Sequence, residues 1–278
     1  MLMINFRSFN ASDWPSFEAI VEEAFARENI QRENFLQMLD DAGLIGAFIE
    51  NKLVGYLRMM LMDEYGHLGQ IAVEKSERGK GYGNQLMEYA VKYFLKSKVK
   101  TIGLYVETKN NTAISLYEKY GFEKQFESYH YWIDEMQFSK IQNNYQKKDN
   151  TEIRILDPDD FREIINTFPE INKEELKTHL TRPKSKGLSG GESYPLGLFV
   201  DNKLVVYGRF NPEFPGCKPF EINDMEYFDD FIIGLKKYRT KEYLRITFDK
   251  NKDLAKFCDN RGYRLHHHMY LMKKKMRD

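Results

Sequence analysis

Apolar and polar residues alternate in blocks along the first half of the chain. Short apolar runs predict strands over residues 4–9, 44–49, 53–62, 68–73 and 101–106. Apolar residues at helical spacing predict helices over residues 14–25, 32–41, 82–94 and 110–120. Residues 44–62 read as a hairpin, and residues 122–138 as a final antiparallel pair of strands. Helices and strands in this order predict a mixed α/β (α+β) domain built on a mixed sheet.

A glycine-rich turn separates the strand over residues 68–73 from the helix that begins near residue 82. Gly79, Gly81 and Gly83 fall within five residues. Such a turn exposes unpaired backbone N–H groups at the positive end of a helix dipole, which is a setting that binds phosphate. The spacing of the glycines does not match the P-loop. It does not match the dinucleotide-binding pattern either, because no third glycine stands at that pattern's spacing and no later acidic residue is placed to bind a ribose. The alternative is a tight connection with a structural role alone.

Two motifs resemble those of one enzyme family. Residues 78–83 read Arg-x-x-Gly-x-Gly after a strand ending in Ala-Val, which resembles motif A of the GNAT N-acetyltransferases. Residues 110–122 resemble the family's next helix, Asn-x-x-Ala-x-x-Leu-Tyr-x-x-x-Gly-Phe. The resemblance covers residues 4–135, roughly half of the chain. It implies an acyl-CoA N-acyltransferase fold and direct transfer of acetyl from acetyl-CoA to a primary amine in a ternary complex.

The resemblance also assigns a coenzyme site residue by residue. The pantetheine arm of acetyl-CoA is expected beside the backbone of Ile71, Ala72 and Val73. Its pyrophosphate is expected on the backbone amides of Arg78, Gly79, Lys80, Gly81, Tyr82, Gly83 and Asn84. Asn110 opens the second motif helix, where it is expected to cap the helix and to reach the coenzyme. No metal is expected.

Catalysis by this route needs a proton donor, an oxyanion donor and a base. Tyr117 is the expected proton donor for the departing thiolate, and the alternative is that it belongs to an apolar helix face. The amide of Val73 is the expected oxyanion donor. His67 is the candidate base because counting by twos places it on the face of Val73. A structural His67, a base role for Glu107 and a water relay are the alternatives.

Composition limits the possible partners and the cellular setting. A chain of 278 residues predicts two domains, and 42 basic residues balance 42 acidic ones. Zero net charge does not favour bulk binding to nucleic acid or to an anionic membrane. No apolar run approaches the ~20 residues that span a bilayer. Two cysteines, Cys217 and Cys258, cannot form a disulfide framework, so a cytoplasmic location is expected.

The second half of the chain repeats the first. Asn-Lys-Leu-Val at residues 51–54 returns at residues 202–205, and the motif helix returns more faintly at residues 251–263. Residues 4–7 resemble residues 152–154, and residues 13–14 resemble residues 160–161. A repeat of domain length implies two copies of one fold. The predicted boundaries are a catalytic domain over residues 1–140, a linker over 141–151 and a second domain over 152–278.

The second copy is predicted to be degenerate. The repeat offset falls from 151 residues to 141 between the two matching segments, so about ten residues are missing where copy one has its glycine turn. A strand is expected to enter its helix directly there. Cys258 aligns with Tyr117, whereas Asn251 still matches Asn110. Copy two is therefore expected to have a structural role or to shape the acceptor pocket.

Two classes of function follow from the sequence. The first is an acetyltransferase acting through copy one on a small amine, an aminoglycoside, an amino acid or a protein terminus. The second is a non-catalytic acyl-CoA-binding or regulatory module. Mycothiol synthases are tandem GNAT chains, but their active copy is usually the second, which argues against that substrate. His266, His267 and His268 lie in a predicted strand, so their side chains should diverge and not bind one metal ion. The sequence leaves open whether the protein forms a homodimer.

Overall fold

The computed structural model describes residues 4–25, 31–181, 192–213 and 215–276. The chain forms two compact units. Unit 1 comprises Met1–Phe126 together with Met269–Asp278, and unit 2 comprises Glu127–His268. No helix among the described residues is long and apolar enough to span a membrane.

Unit 1 alternates strands and helices as its sequence pattern predicts. Its strands are β1 (Asn5–Ser8), β2 (Leu44–Ile49), β3 (Lys52–Met62), β4 (Tyr65–Val73) and β5 (Thr101–Glu107), and its helices are α1 (Trp14–Phe25), α2 (Arg32–Met38), α3 (Tyr82–Lys96) and α4 (Asn111–Lys119). The strands follow one another in the order β1-β2-β3-β4-β5. The pair β4–β5 is parallel, and the others are antiparallel.

Unit 2 repeats this order of elements. Its strands are β6 (Glu123–Ile133), β7 (Thr151–Ile155), β8 (Tyr194–Val200), β9 (Lys203–Asn211), β10 (Gly216–Ile222) and β11 (Leu244–Asp249), and its helices are α5 (Glu135–Asn144), α6 (Phe161–Thr167), α7 (Lys173–Thr181), α8 (Phe228–Gly234) and α9 (Lys252–Asn260). The sheet order is β6-β11-β10-β9-β8-β7, with a parallel pair at β10–β11. The parallel pair therefore lies at equivalent places in the two units.

The final strand, β12 (Arg264–Lys275), begins in unit 2 and ends in unit 1. Its residues from Met269 to Lys275 pair antiparallel with β5, and Met272 is fully buried in the core of unit 1. Strand β6 makes the opposite change, because it starts in unit 1 and pairs with β11 in unit 2. The two compact units therefore exchange strands relative to the two sequence copies. The boundaries 1–140 and 152–278 divide the sequence into its two copies, and as domain boundaries they stay a prediction.

A bidentate ion pair recurs at the start of both copies. Arg7 binds Asp13 with N–O distances of 2.7 and 2.8 Å, and Arg154 binds Asp160 with distances of 2.8 and 2.6 Å. Each aspartate also accepts a backbone N–H in a capping box, Asp13 from Asn10 and Asp160 from Asp157. Each arginine lies over a phenylalanine ring of the adjacent strand, Phe48 or Phe199. The weak sequence repeat therefore corresponds to the same ion pair in both copies.

Two local expectations are corrected by the structure. Residues 122–138 do not form two strands, because β6 is followed at once by α5, which Asp134 caps by accepting the N–H of Gln137 at 2.8 Å. Helix α5 continues to residue 144 and so occupies the start of the predicted linker. The basic residues 273–275 lie within β12, and Lys274 donates to the carbonyl of Tyr120 at 2.8 Å.

Candidate active site

The candidate site of unit 1 lies where β4 and β5 stop pairing. Their parallel register covers Tyr65 to His67, whereas β4 continues to pair with β3 as far as Val73. Glu74 donates its N–H to the carbonyl of Val54 on β3 at 3.0 Å. Successive N–H groups of a strand point to opposite sides, so the N–H of Val73 points away from β3 and toward the β5 side. The backbone of Val73 is thereby placed on the edge where a thioester arm was expected.

The turn after β4 has the geometry that its glycines predict. Gly79 and Gly81 have φ values of 79° and 87°, which L-residues other than glycine rarely adopt. Gly81 is the N-cap of α3 and makes no side-chain cap hydrogen bond, and the first turn of α3 carries no acidic residue. A Cβ atom at Gly79 would meet no atom within 4 Å. The space beside Gly79 is therefore open, and the first turn of α3 has no carboxylate that would oppose an anion at the start of the helix.

Side chains of this turn are held by neighbours that the sequence reading did not identify. The Arg78 guanidinium donates to the carbonyl of Val73 at 3.0 Å and also contacts the carboxylate of Glu23 on α1. The buried carboxylate of Glu77 accepts from Lys52 at 2.7 Å and from Lys80 at 2.8 Å. These two hydrogen bonds lower the pKa of Glu77, so it stays ionised. The i,i+3 spacing of Glu77 and Lys80 is the signal that could have revealed this pair.

Helix α4 places the second motif beside the turn. Asn110 caps it, accepting the N–H of Ala113 at 3.1 Å, as its sequence position predicts. Asn84, at the start of α3, accepts from Lys119 of α4 at 2.6 Å, and its carbonyl accepts from Tyr120 at 2.9 Å. Two hydrogen bonds therefore fix the helix that carries the second motif against the helix that carries the glycine turn.

Tyr117 is a buried residue of α4, with 6% of its surface exposed. Its ring packs 6.1 Å from that of Phe122, and its hydroxyl has no hydrogen-bond partner among the residues that the structure describes. Burial raises the pKa of the phenol, so the group is protonated at neutral pH. Tyr117 is thus part of an apolar core and also carries an available proton, and the two interpretations offered by the sequence are compatible.

The placement of His67 corrects the argument made for it. Gly69 is an extra residue in β4, because Leu68 pairs with Met59 and Gln70 with Arg58. A bulge of this kind breaks the two-residue alternation of a strand. His67 consequently shares its face with Gln70 and Ala72, while Val73 shares the opposite face with Ile71 and Leu68. The aromatic neighbours of His67 are Tyr65 and Tyr105, with ring centroids 6.4 and 6.1 Å away.

The equivalent segment of unit 2 is built differently. Five residues, 223–227, connect β10 to α8, including a turn of 3-10 helix at Met225–Tyr227, so the strand does not enter the helix directly. Asp224 caps that turn by accepting the N–H of Glu226 at 3.0 Å. The first turn of α8 carries Asp229 and Asp230. Carboxylates therefore occupy the helix end at which unit 1 presents free amides.

The position in α9 that corresponds to Tyr117 of α4 also differs. Asn251 caps α9 by accepting the N–H of Leu254 at 2.9 Å, which matches Asn110 in α4. Cys258 is fully buried in α9, and burial raises the pKa of its thiol to about 12. Among the described residues, no group of three or more His, Cys, Asp or Glu side chains is arranged to hold a metal ion. His268 instead lies 3.1 Å from the carboxylate of Glu127, and His267 lies beside His130.

Comparison with known proteins finds similarity to one enzyme family in the first copy. Residues 6–122 match the model of the acetyltransferase (GNAT) family. The chain is 34% identical over 84 residues to a streptothricin acetyltransferase of Escherichia coli, covering 30% of this chain and 48% of that one. It is 28% identical over 105 residues to the N-alpha-acetyltransferase MAK3 of Arabidopsis thaliana, covering 36% and 55%. The chain thus spans about half the length of these two relatives.

Solved structures resemble the chain over its whole length. A GCN5-related N-acetyltransferase from Sphaerobacter thermophilus has a TM-score of 0.67 at 14% identity, covering 99% of this chain and 96% of that one. A tandem GNAT protein from the clavulanic acid biosynthesis pathway has a TM-score of 0.65 at 13% identity, covering 99% and 100%. At such identities the likeness shows the fold. Residues 6–122 are thus similar to the acetyltransferase (GNAT) family, and the whole chain has the fold of these two solved structures.

Proposed function

We propose that this protein is an N-acetyltransferase that transfers the acetyl group of acetyl-CoA to a primary amine, with the coenzyme held by unit 1. The observation that carries the proposal is the turn before α3. It combines two glycines at positive φ with an N-cap that leaves the helix amides free and with a first helical turn without acids. This arrangement suits a pyrophosphate.

The chemistry follows from the groups around the end of β4. The amine nitrogen attacks the thioester carbonyl as the free base, a tetrahedral oxyanion forms, and the C–S bond then breaks to release the CoA thiolate. The proton that the nitrogen loses passes to water, from which the Tyr117 phenol recovers the proton that it gives to the thiolate. The N–H of Val73, directed to the β5 side, is the proposed oxyanion donor. Tyr117 is the proposed acid that protonates the thiolate. His67 is not proposed as the base, because the bulge at Gly69 places it on the face opposite Val73.

The amine acceptor is proposed at the level of its class. One relative is named for streptothricin and another for protein α-amino groups, and both are named acetyltransferases. Their common chemistry is acetyl transfer to an amine nitrogen. We therefore expect the acceptor to be an amine carried by a small molecule or by a protein terminus.

The test is turnover measured as release of free CoA thiol, with a panel of amino acids, aminoglycosides and peptides as acceptors. Gly81→Glu places a carboxylate at the amides of the turn and forces a side chain onto a residue at φ 87°. Calorimetry should show acetyl-CoA binding lost in this variant, and thiol release should fall with it. Unchanged acetyl-CoA affinity would refute the site.

Gly262→Glu is the matched control. Gly262 lies in unit 2 at φ 71°, and a Cβ atom there would meet nothing within 4 Å. The control therefore imposes a similar backbone strain and the same charge, but away from the proposed turn. It should bind acetyl-CoA like the parent protein, so that a loss confined to Gly81→Glu reports on the site and not on stability.

A further inference from the structure

The arginine that opens the glycine turn folds back onto the end of β4. Arg78 follows a turn of 3-10 helix, Lys75–Glu77, and its Nε donates to the carbonyl of Val73 at 3.0 Å. A terminal nitrogen of the same guanidinium contacts the carboxylate of Glu23 on α1. The Arg78 side chain therefore binds the backbone of the strand end, and a second element holds the guanidinium in that place.

The carbonyl that Arg78 binds lies on the same side of β4 as the N–H of Val73. The two backbone groups of one strand residue point to the same side, and those of the next residue point to the other. The N–H of Glu74 bonds to Val54 on β3, so both groups of Val73 lie on the side away from β3. The pairing of β4 with β5 ends at His67, so no described residue of β5 pairs with Val73. The strand end thus presents a donor and an acceptor side by side.

These two backbone groups have opposite effects on an oxyanion. An N–H stabilises the negative charge that develops on the thioester oxygen, whereas an uncovered carbonyl oxygen beside it repels that charge. A hydrogen bond from a guanidinium places a cation against the carbonyl oxygen, and such charge-assisted bonds are stronger than neutral ones. The bond from Arg78 therefore offsets the repulsive group of Val73 and leaves the N–H of that residue to act.

Unit 2 ends the equivalent strand without an arginine. There the N–H of Asn223 bonds to Val205 on β9 at 3.2 Å, which repeats the bond from Glu74 to Val54. The five residues that follow β10, 223–227, contain no arginine or lysine. The same backbone bond therefore closes this strand end in unit 2 without a contact like that of Arg78, and the fold does not require that contact.

The contact also contributes little to stability. The side chains of Arg78 and Glu23 are 46% and 35% exposed. Ion pairs at such exposure stabilise a fold weakly, because water screens both charges. Loss of the contact should therefore leave the fold in place, and its effect should be seen in the chemistry of the site.

We infer that Arg78 is a positioning residue for acetyl transfer, which binds the carbonyl of Val73 so that the adjacent N–H can stabilise the oxyanion. This inference rests on the proposed transferase function of unit 1. It gives the side chain of Arg78 a role in turnover, whereas only the backbone amide of this residue was expected to bind pyrophosphate. Glu23 holds the guanidinium, so α1 takes part in the same arrangement.

Two neutral substitutions separate the hydrogen bond from the charge. Arg78→Gln places an amide nitrogen at the same number of bonds from Cα as the Nε of arginine, so it can still donate to the carbonyl of Val73. Arg78→Met has a similar length and no donor. At saturating acetyl-CoA, with the best acceptor of the amine panel, Arg78→Met should lower kcat by about tenfold or more. Arg78→Gln should keep kcat within about threefold of the parent value.

Affinity for acetyl-CoA is the second readout, since a purely structural role would not separate it from turnover. Both variants lose the same positive charge beside the turn, so calorimetry should give equal dissociation constants for the two. Their melting temperatures should also agree, because the lost ion pair is exposed. Arg261→Met is the control variant, because Arg261 pairs with Asp229 in unit 2 at 2.7 Å, and its loss should not change kcat.

Equal loss of kcat in Arg78→Gln and Arg78→Met would overturn the inference, because the charge and not the bond to Val73 would then matter. A parental kcat in Arg78→Met would overturn it as well, and both of these results leave the proposed function standing. If the parent protein binds acetyl-CoA but releases no CoA thiol with any acceptor, the proposed function itself fails, and the inference fails with it.

Discussion

The two units contain one fold with two different helix starts. In unit 1, eight residues, 74–81, separate β4 from α3, and two of them are glycines at positive φ. In unit 2, five residues separate β10 from α8, and Asp224, Asp229 and Asp230 lie at or near the helix start. Helix α3 has 15 residues, whereas α8 has 7. The difference shows that one fold tolerates two different helix starts, because its sheet and its apolar core do not depend on that turn.

The copies also differ at the sheet face that α1 and α2 cover in unit 1 and that α6 and α7 cover in unit 2. Unit 1 fills it with aromatic side chains, whereas unit 2 keeps half-buried charges there. The shared devices, namely the Arg–Asp pair and the asparagine caps, serve folding and are found in both. The features that differ, above all the glycine turn of unit 1, are therefore the ones on which the proposed function rests.

The largest expected effect comes from separating the copies by ending the chain at residue 150. This removes β12, which pairs with β5 and buries Met272 in the core of unit 1. The exposed edge of β5 and the lost apolar contacts should prevent stable folding. Circular dichroism and thermal melting of the 1–150 fragment provide the measurement. A fragment that melts cooperatively near the full chain's temperature would show that unit 1 does not need the exchanged strand.

Tyr117→Phe should slow turnover by about 10²–10⁴-fold, because it removes a positioned acid while leaving the buried ring in place. Acetyl-CoA affinity should stay close to that of the parent, as measured by calorimetry. Cys258→Ala changes the equivalent position of unit 2 and should leave turnover unaffected, at the cost of a small core cavity. If both variants turn over at the parental rate, the phenol of Tyr117 has no chemical role in the limiting step.

Gly79→Ala and Gly262→Ala form a closer comparison. Both glycines have positive φ and open space around them, so each substitution should destabilise its unit by about 1–2 kcal/mol. Only Gly79→Ala should also weaken acetyl-CoA binding, because its methyl group projects at the proposed phosphate turn. Chemical denaturation and calorimetry on both variants separate the two effects. Equal losses of affinity would mean that strain, and not position, controls binding.

The smallest expected effect concerns the duplicated ion pair. Hydrogen bonds from arginine lower the pKa of both Asp13 and Asp160. A lowered carboxyl pKa contributes stability that is present above the unfolded pKa and is lost as pH falls through the folded value. Asp13→Asn and Asp160→Asn should each lower the melting temperature by a few degrees at pH 7 and by less near pH 3. Unequal shifts would show that one copy depends more on this device.

Local sequence signals predicted the site better than long-range ones. The glycine turn, the cap at Asn110 and the repeat of Arg7 with Asp13 at Arg154 with Asp160 were all readable, because each depends on residues close in sequence. The bulge at Gly69 could not be predicted in this way, because one extra residue in a strand does not change a short apolar pattern. It reversed the face assigned to His67.

Long-range pairing and burial of charge escaped the sequence reading for a physical reason. Nothing in residues 264–275 reveals that the strand they form leaves the unit of its own copy. Glu77 resembles an ordinary surface acid in the sequence, and its burial depends on packing that includes Lys52 of a distant strand. The most informative charge of unit 1 is consequently one that a sequence pattern assigns to solvent.

The most direct test of the central claim is a crystal structure of the full chain with acetyl-CoA at saturating concentration. The account predicts one coenzyme per chain, with its pyrophosphate on the backbone amides of residues 79–83 and its thioester carbonyl at the N–H of Val73. Residues 223–228 of unit 2 should bind none. A coenzyme bound at the start of α8, or an empty turn before α3 beside a coenzyme bound elsewhere, would contradict the account.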